Sequence, residues 1–189
     1  MNVARILYPV QVLGPGNRVG IWLCGCSRAC KGCSNPELWR QLPEYEVSVD
    51  DVFSLVQRIA GDHIIDGFTL SGGEPMDQAD ELSHLIQLVS SISRDILVYS
   101  GYRIEELASK NDPAIDSVLN SVTVLIDGAY IEEQNNNSFL RGSSNQRIHV
   151  LNRDFEWRYQ QYIAEGRNQI QNFTTADGVV SVGIHHKGF

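Results

Sequence analysis

The sequence predicts an α/β fold: a curved parallel sheet with helices on its outside, forming a partial (βα) barrel truncated relative to a full TIM barrel. Three observations predict it. Short apolar runs alternate with stretches that carry apolar residues at helical spacing, as strands joined by helical crossovers do. Each apolar run ends in a polar or glycine-rich tip, and parallel α/β sheets gather their ligands at the carboxyl ends of strands. Only four or five such units are present, too few to close eight strands. A lateral opening therefore has to be covered by something else.

The elements follow in order. Residues 3–8 form a short first strand, and Gly14-Pro15-Gly16-Asn17 is a turn signal. Residues 18–24 read as a buried strand that runs into a loop of cysteines. Residues 35–39 open a short helix or turn. Ser48 with Asp50 and Asp51 is an N-cap followed by acidic residues at the positive end of a helix. That helix covers residues 52–60, and Gly61 stops it. Residues 64–70 form a buried strand leading into Ser71-Gly72-Gly73-Glu74-Pro75. Residues 78–91 form an amphipathic helix with Leu82, Leu85, Ile86 and Val89 inward. Residues 95–99 are a strand ending in Ser100-Gly101-Tyr102, residues 104–109 a short helix, and residues 122–126 a strand ending in Asp127-Gly128. Residues 134–146 are a polar loop, and residues 147–151 a fifth strand. Residues 155–163 suit a short helix, and residues 178–184 alternate like one strand of a hairpin.

Composition narrows the function classes. The chain has 189 residues, enough for one domain with a sizeable core. Its net charge of −8 disfavours a general nucleic-acid binder, which needs a basic face. No apolar run is long enough to span a bilayer. The start, Met1 to Pro9, lacks the apolar core and cleavage site of a signal peptide, so the expected compartment is the cytoplasm. Free thiols serving as metal ligands suit that compartment.

Two motifs carry chemistry. Cys26, Cys30 and Cys33 stand on one short loop, with three residues and then two between them. Three thiolates can hold three irons of a cubane cluster and leave the fourth iron open for a ligand. A structural zinc site uses two separated cysteine pairs, and no second pair lies downstream, although spacing alone leaves zinc open. Disulfides among residues 24–33 would close very small strained loops. Cys24 reads as a buried strand residue acting as a small hydrophobe. The second motif, Gly72-Gly73-Glu74-Pro75, follows a buried strand. Two glycines let backbone approach a ligand closely. Taken alone, the same four residues also suit a plain strand-to-helix turn.

Together the motifs resemble the radical S-adenosylmethionine (SAM) superfamily. The resemblance implies that Cys26, Cys30 and Cys33 hold a [4Fe–4S] cluster whose open iron takes the amino and carboxylate groups of SAM. It places Gly72, Gly73, Glu74 and Pro75 at the methionyl amino end. It also places Ser100 and Asp127 where the family binds ribose and the methionyl carboxylate. One electron from the cluster then cleaves the sulfonium to a 5′-deoxyadenosyl radical.

Further stretches look like the activases of anaerobic ribonucleotide reductase: Gly14 to Arg18, Cys30 to Trp39, Tyr99 to Tyr102, Asp127-Gly128 and Arg141 to Arg147. This likeness runs over residues 2–150. It implies a large glycyl-radical enzyme as partner, covering the open side of the barrel, and an electron donor such as flavodoxin or ferredoxin. No nucleic acid or membrane is implied. A peptide or small-metabolite substrate, or a non-catalytic iron–sulfur or zinc module, are the other readings of the residues. The expected organisation is a single radical SAM domain over residues 1–189, with residues 152–189 as a C-terminal extension of unassigned role. Lys31 departs from a frequent proline of the family. Residues 141–147 either order the mouth or meet the partner, or form a solvated loop. Tyr99 and Tyr102 are expected to pack, and His185 and His186 to lie in a solvated tail.

Overall fold

A computed structural model of the protein describes residues 1–176 and 178–185. The apolar runs pair side by side in the order in which the chain makes them. Strands β1 (Val3–Val10), β2 (Arg18–Leu23), β3 (Gly67–Gly72), β4 (Ile96–Ser100), β5 (Val124–Asp127) and β6 (Arg147–Val150) form one sheet in that sequence. Strands β2 to β5 are parallel, and β1 and β6 run antiparallel at the two edges. Parallel neighbours need long crossovers. Helices α1 (Val49–Asp62), α2 (Ala79–Val89), α3 (Ile104–Ser109) and α4 (Pro113–Ser121) lie in them. Helix α5 (Glu156–Glu165) follows the sheet and leads to a separate hairpin of β7 (Ile170–Thr175) and β8 (Gly178–Gly183). The result is a mixed α/β fold with a mostly parallel central sheet.

Side chains alternate across a strand, which gives the sheet two apolar faces. Val19, Ile21, Phe68 and Val98 share one core with Val52 and Val56 of α1, Leu82 and Leu85 of α2, and Val118 of α4. Trp22, Cys24, Leu97, Val124 and Ile126 belong to the other face. Later segments of the chain cover that second face. Leu140 and Tyr159 pack with Leu97, Val124 and Ile126. Val182 of β8 packs in a cluster with Val10, Leu13, Trp22 and Cys24.

A polar plug fills the second face where the parallel strands begin. Arg18 is fully buried and pairs with Asp95 at 3.1 Å. Its Nε donates to Thr69 Oγ1 at 2.7 Å, and Thr69 donates in turn to the Leu13 carbonyl at 2.7 Å. Tyr159 of α5 donates to the Asp95 carboxylate at 2.5 Å, and Arg158 adds a longer ion pair at 3.5 Å. Buried charges persist only when compensated; here Asp95 Oδ1 takes Arg18 and Tyr159, while Oδ2 has the Arg158 ion pair and no hydrogen bond.

Some expectations shift. The strand expected from residue 64 begins at Gly67, because Ile64 is 81% exposed. Helix α4 has no counterpart among the expected elements. Asp112 caps it by accepting the Ala114 N–H, and Pro113 takes the first turn, where a missing N–H costs nothing. Strand β7, mostly polar, supplies the partner that residues 178–184 require.

Candidate functional site

The cysteine loop leaves the sheet at the carboxyl end of β2. Gly25 turns it with φ +97°, and its N–H donates to the Leu38 carbonyl at 2.9 Å. The Cys26 N–H donates to the Trp39 carbonyl at 3.0 Å, and the Cys33 N–H closes a turn on the Cys30 carbonyl at 3.2 Å. Left-handed residues at Ala29 and Gly32 complete the coil. Lys31 reaches Glu132 and Glu133, each at 3.4 Å, and so ties the loop to the segment after β5. All the cysteines are free thiols. Cys24 is buried, and Cys26, Cys30 and Cys33 are half-buried. Burial pushes the thiols of Cys24 and Cys26 up; for Cys26, hydrogen bonds from the Ala29 and Arg28 backbone partly oppose it. Ligation at Cys26 would therefore release a proton.

A clamp that sequence reasoning missed holds the loop to its neighbours. Asp77 accepts the Ser27 N–H at 2.9 Å and the Tyr102 hydroxyl at 3.0 Å. Ser27 and Tyr102 share a further hydrogen bond at 3.0 Å. The cations of Arg28, at 4.7 Å, and Lys110, at 3.8 Å, both lie over the Tyr102 ring. Nothing local in the sequence signals this clamp, since its members lie up to 75 residues apart.

The Gly72–Pro75 turn sits beside the loop. The Gly73 N–H donates to the Leu23 carbonyl at 2.7 Å, and the Glu74 N–H to the Gly25 carbonyl at 2.8 Å. A Cβ at Gly73 would come within 2.1 Å of the Gly25 carbonyl oxygen, so only glycine allows this approach. With those amides engaged inside the fold, what the turn offers a ligand is acceptor oxygen, which suits an ammonium group. The Glu74 side chain points inward. It accepts from Ser100 Oγ at 2.8 Å, from the Gly101 N–H at 2.6 Å and from the Met76 N–H at 3.1 Å. Burial outweighs these donors and pushes its carboxyl up to about 7. Pro75 is buried at the start of a short 3-10 turn.

Asp127, at the end of β5, is fully buried. It accepts two hydrogen bonds from Arg147, at 3.0 and 2.6 Å, and one from the Ile104 N–H at 2.8 Å, with His149 at 3.1 Å and Arg103 at 3.6 Å beside it. Burial pushes its carboxyl up, but the Arg147 and Ile104 hydrogen bonds and the nearby positive charge prevail and hold it below the usual range. Its oxygens are thus committed to protein donors. Tyr99 packs as expected, with its hydroxyl on the Leu140 carbonyl at 3.0 Å. The loop at residues 141–147 is tied down rather than solvated. Gln146 bonds the Ser143 N–H and the Gly128 carbonyl, and Arg141 bonds the Gln146 carbonyl.

One cavity collects most of these groups. Cys26, Cys30, Cys33, Gly72, Gly73 and Ser100 all line it, together with a portion of Glu74. Asp127 and Pro75 do not. The C-terminal hairpin supplies another stretch of its wall, ending at His185. His185 is therefore half-buried at the site and not in a solvated tail, while His186 lies outside the described residues. The donor set fits a [4Fe–4S] cluster: three soft thiols on one loop, with acceptor backbone beside them. Among the described residues, no three His, Cys, Asp or Glu side chains converge as ligands of one ion do. A cubane does not ask for that, since it takes its thiolates at separate corners.

The comparisons agree. Residues 12–149 match the model of a 4Fe-4S single cluster domain. The chain is 34% identical over 150 residues to the anaerobic ribonucleoside-triphosphate reductase-activating protein of Vibrio cholerae, covering 75% of this chain and 94% of that one. It is 37% identical over 155 residues to the same protein of Haemophilus influenzae, with the same coverage of each chain. It is 32% identical over 164 residues to that of Enterobacteria phage T4, covering 84% of this chain and 99% of the relative. With its cysteine loop, glycine turn and strand tips gathered at one end of a parallel sheet, the chain belongs to the family of anaerobic ribonucleoside-triphosphate reductase-activating proteins.

Proposed function

We propose that this chain activates an anaerobic ribonucleotide reductase by taking a hydrogen atom from a glycine of that large partner. The supporting observation is that three cysteines, the Gly72–Gly73 turn and Ser100 line a single cavity at the carboxyl ends of parallel strands. In this reading Cys26, Cys30 and Cys33 hold the cluster. Gly72 and Gly73 meet the methionyl amino group through carbonyl oxygens. Glu74 and Pro75 shape that turn from beneath, and Ser100 faces the ribose. Asp127 acts at one remove: its carboxylate fixes Arg147, Arg103 and the start of α3 around the mouth. When bound, the cluster supplies one electron for reductive cleavage of the SAM sulfonium, the source of the hydrogen-abstracting 5′-deoxyadenosyl group.

The sheet and its helices are read as a partial barrel of radical SAM type, in one domain over residues 1–189 with residues 152–189 as its extension. Flavodoxin or ferredoxin is the donor class, and the cytoplasm the compartment. No helix among the described residues is long and apolar enough to cross a membrane.

Anaerobic reconstitution should give about four irons per chain, as a cubane requires. SAM should perturb the EPR signal of the cluster. Reduction should yield 5′-deoxyadenosine and, with the reductase present, a glycyl radical. Intact SAM after dithionite treatment would overturn the reading.

A further inference from the structure

The family match ends at residue 149, and the activity proposed above gives the later residues no task. Their placement supplies one. Helix α5 is fastened to the plug through Tyr159. The hairpin that follows reaches the cavity. Gln171 grips the end of β1, accepting the Gln11 N–H at 2.9 Å and donating to the Pro9 carbonyl at 2.7 Å. Asn168 grips the loop before β6, donating to the Asn137 and Ser138 carbonyls at 3.1 Å and accepting the Leu140 N–H at 3.0 Å. Asn135 donates to the His185 carbonyl at 2.9 Å. Between these anchors Val182 is only 3% exposed, while Ser181, Gly183 and Ile184 line the cavity shared with the cysteines. Gly183 is required there. Its φ is +141°, and a Cβ would meet the Gln169 carbonyl at 2.3 Å.

We propose that the hairpin β7–β8 is a cover supplied by the chain itself, which sets the width of the opening over the cysteine loop. It slows bulky groups on their way to the cysteines more than small ones. The cover does not depend on the proposed function.

Peptide-resolved alkylation of Cys26, Cys30 and Cys33 in the cluster-free protein tests it. Iodoacetamide and a polyethylene-glycol maleimide are used, each rate being divided by its rate on the urea-unfolded chain. In the intact protein the bulky reagent should be slowed at least about tenfold more than the small one. A chain ending at Asn168, which keeps α5, should lose that difference while retaining its circular dichroism. Should the shortened chain not fold, Val182→Asp, which puts a charge into the apolar cluster, is read by the same ratio. Equal normalised rates in the intact protein, or full discrimination in a folded variant, would overturn the cover. Absence of SAM cleavage in the reconstituted enzyme would strike the proposed function alone.

Discussion

Glu74 shows how a single residue can shape the pH response. Its carboxyl is pushed up to about 7 from an ordinary 4.5, because burial outweighs its hydrogen-bond donors. The folded chain therefore holds this proton more tightly than the unfolded chain does. The contribution to stability is full below about pH 4.5 and is lost as pH rises through about 7. Chemical denaturation from pH 4.5 to 7.5 should show a fall on the order of 3 kcal/mol from this group, and Glu74→Gln should flatten it. Gly73 gives a sharper test. The Gly25 carbonyl lies where its Cβ would be, so Gly73→Ala must push the cysteine loop and the glycine turn away from each other. It should cost roughly 1–3 kcal/mol, read by urea denaturation, and should lower iron uptake on reconstitution. The cysteines and the Gly72–Pro75 turn were legible in the sequence because their chemistry is written in local spacing. The setting of Asp127 was not, because Arg147 and Arg103, which claim its oxygens, arrive from other elements. The clamp of Ser27, Asp77 and Tyr102 escaped for the same reason.

At the scale of elements, periodicity marked β2 to β6 and helices α1 to α3, but it marked ends poorly. Helix α4 carried its signals, an Asp112 cap and Pro113 in the first turn, in too short a stretch. Strand β7 is mostly polar, since the hairpin meets the core along a fraction of its length. Stability should follow burial. Amides of β3 and β4, buried on both faces, should exchange with deuterium most slowly. Those of β7 and β8 should exchange first, which mass spectrometry of the cluster-free protein can rank. Helix α5 behaves differently, because Tyr159 anchors it to the plug, with Arg158 and Tyr162 beside it. Tyr159→Phe removes a hydrogen bond from a buried carboxylate and should cost about 1–3 kcal/mol by urea denaturation. Arg18→Met leaves Asp95 without its main partner and should cost about 3–5 kcal/mol.

Across the whole molecule, the sheet carries helices on one face and the chain's own later segments on the other. The sequence left one side of the sheet to be covered by something else. That residues from 139 onward help to cover it was not visible, because polar loops and a polar strand show no face until they are packed. The plug of Arg18, Thr69, Asp95 and Tyr159 then acquires a kinetic meaning. It fills the end where the parallel strands begin, while the cysteines, the glycine turn and Ser100 line the cavity where those strands finish, so ligands are expected to come and go on the cysteine side. Spent fragments should then leave from the side by which the next molecule enters. Methionine and 5′-deoxyadenosine should therefore inhibit turnover in competition with SAM, and steady-state kinetics showing purely uncompetitive inhibition by both would mean that neither occupies the place SAM takes.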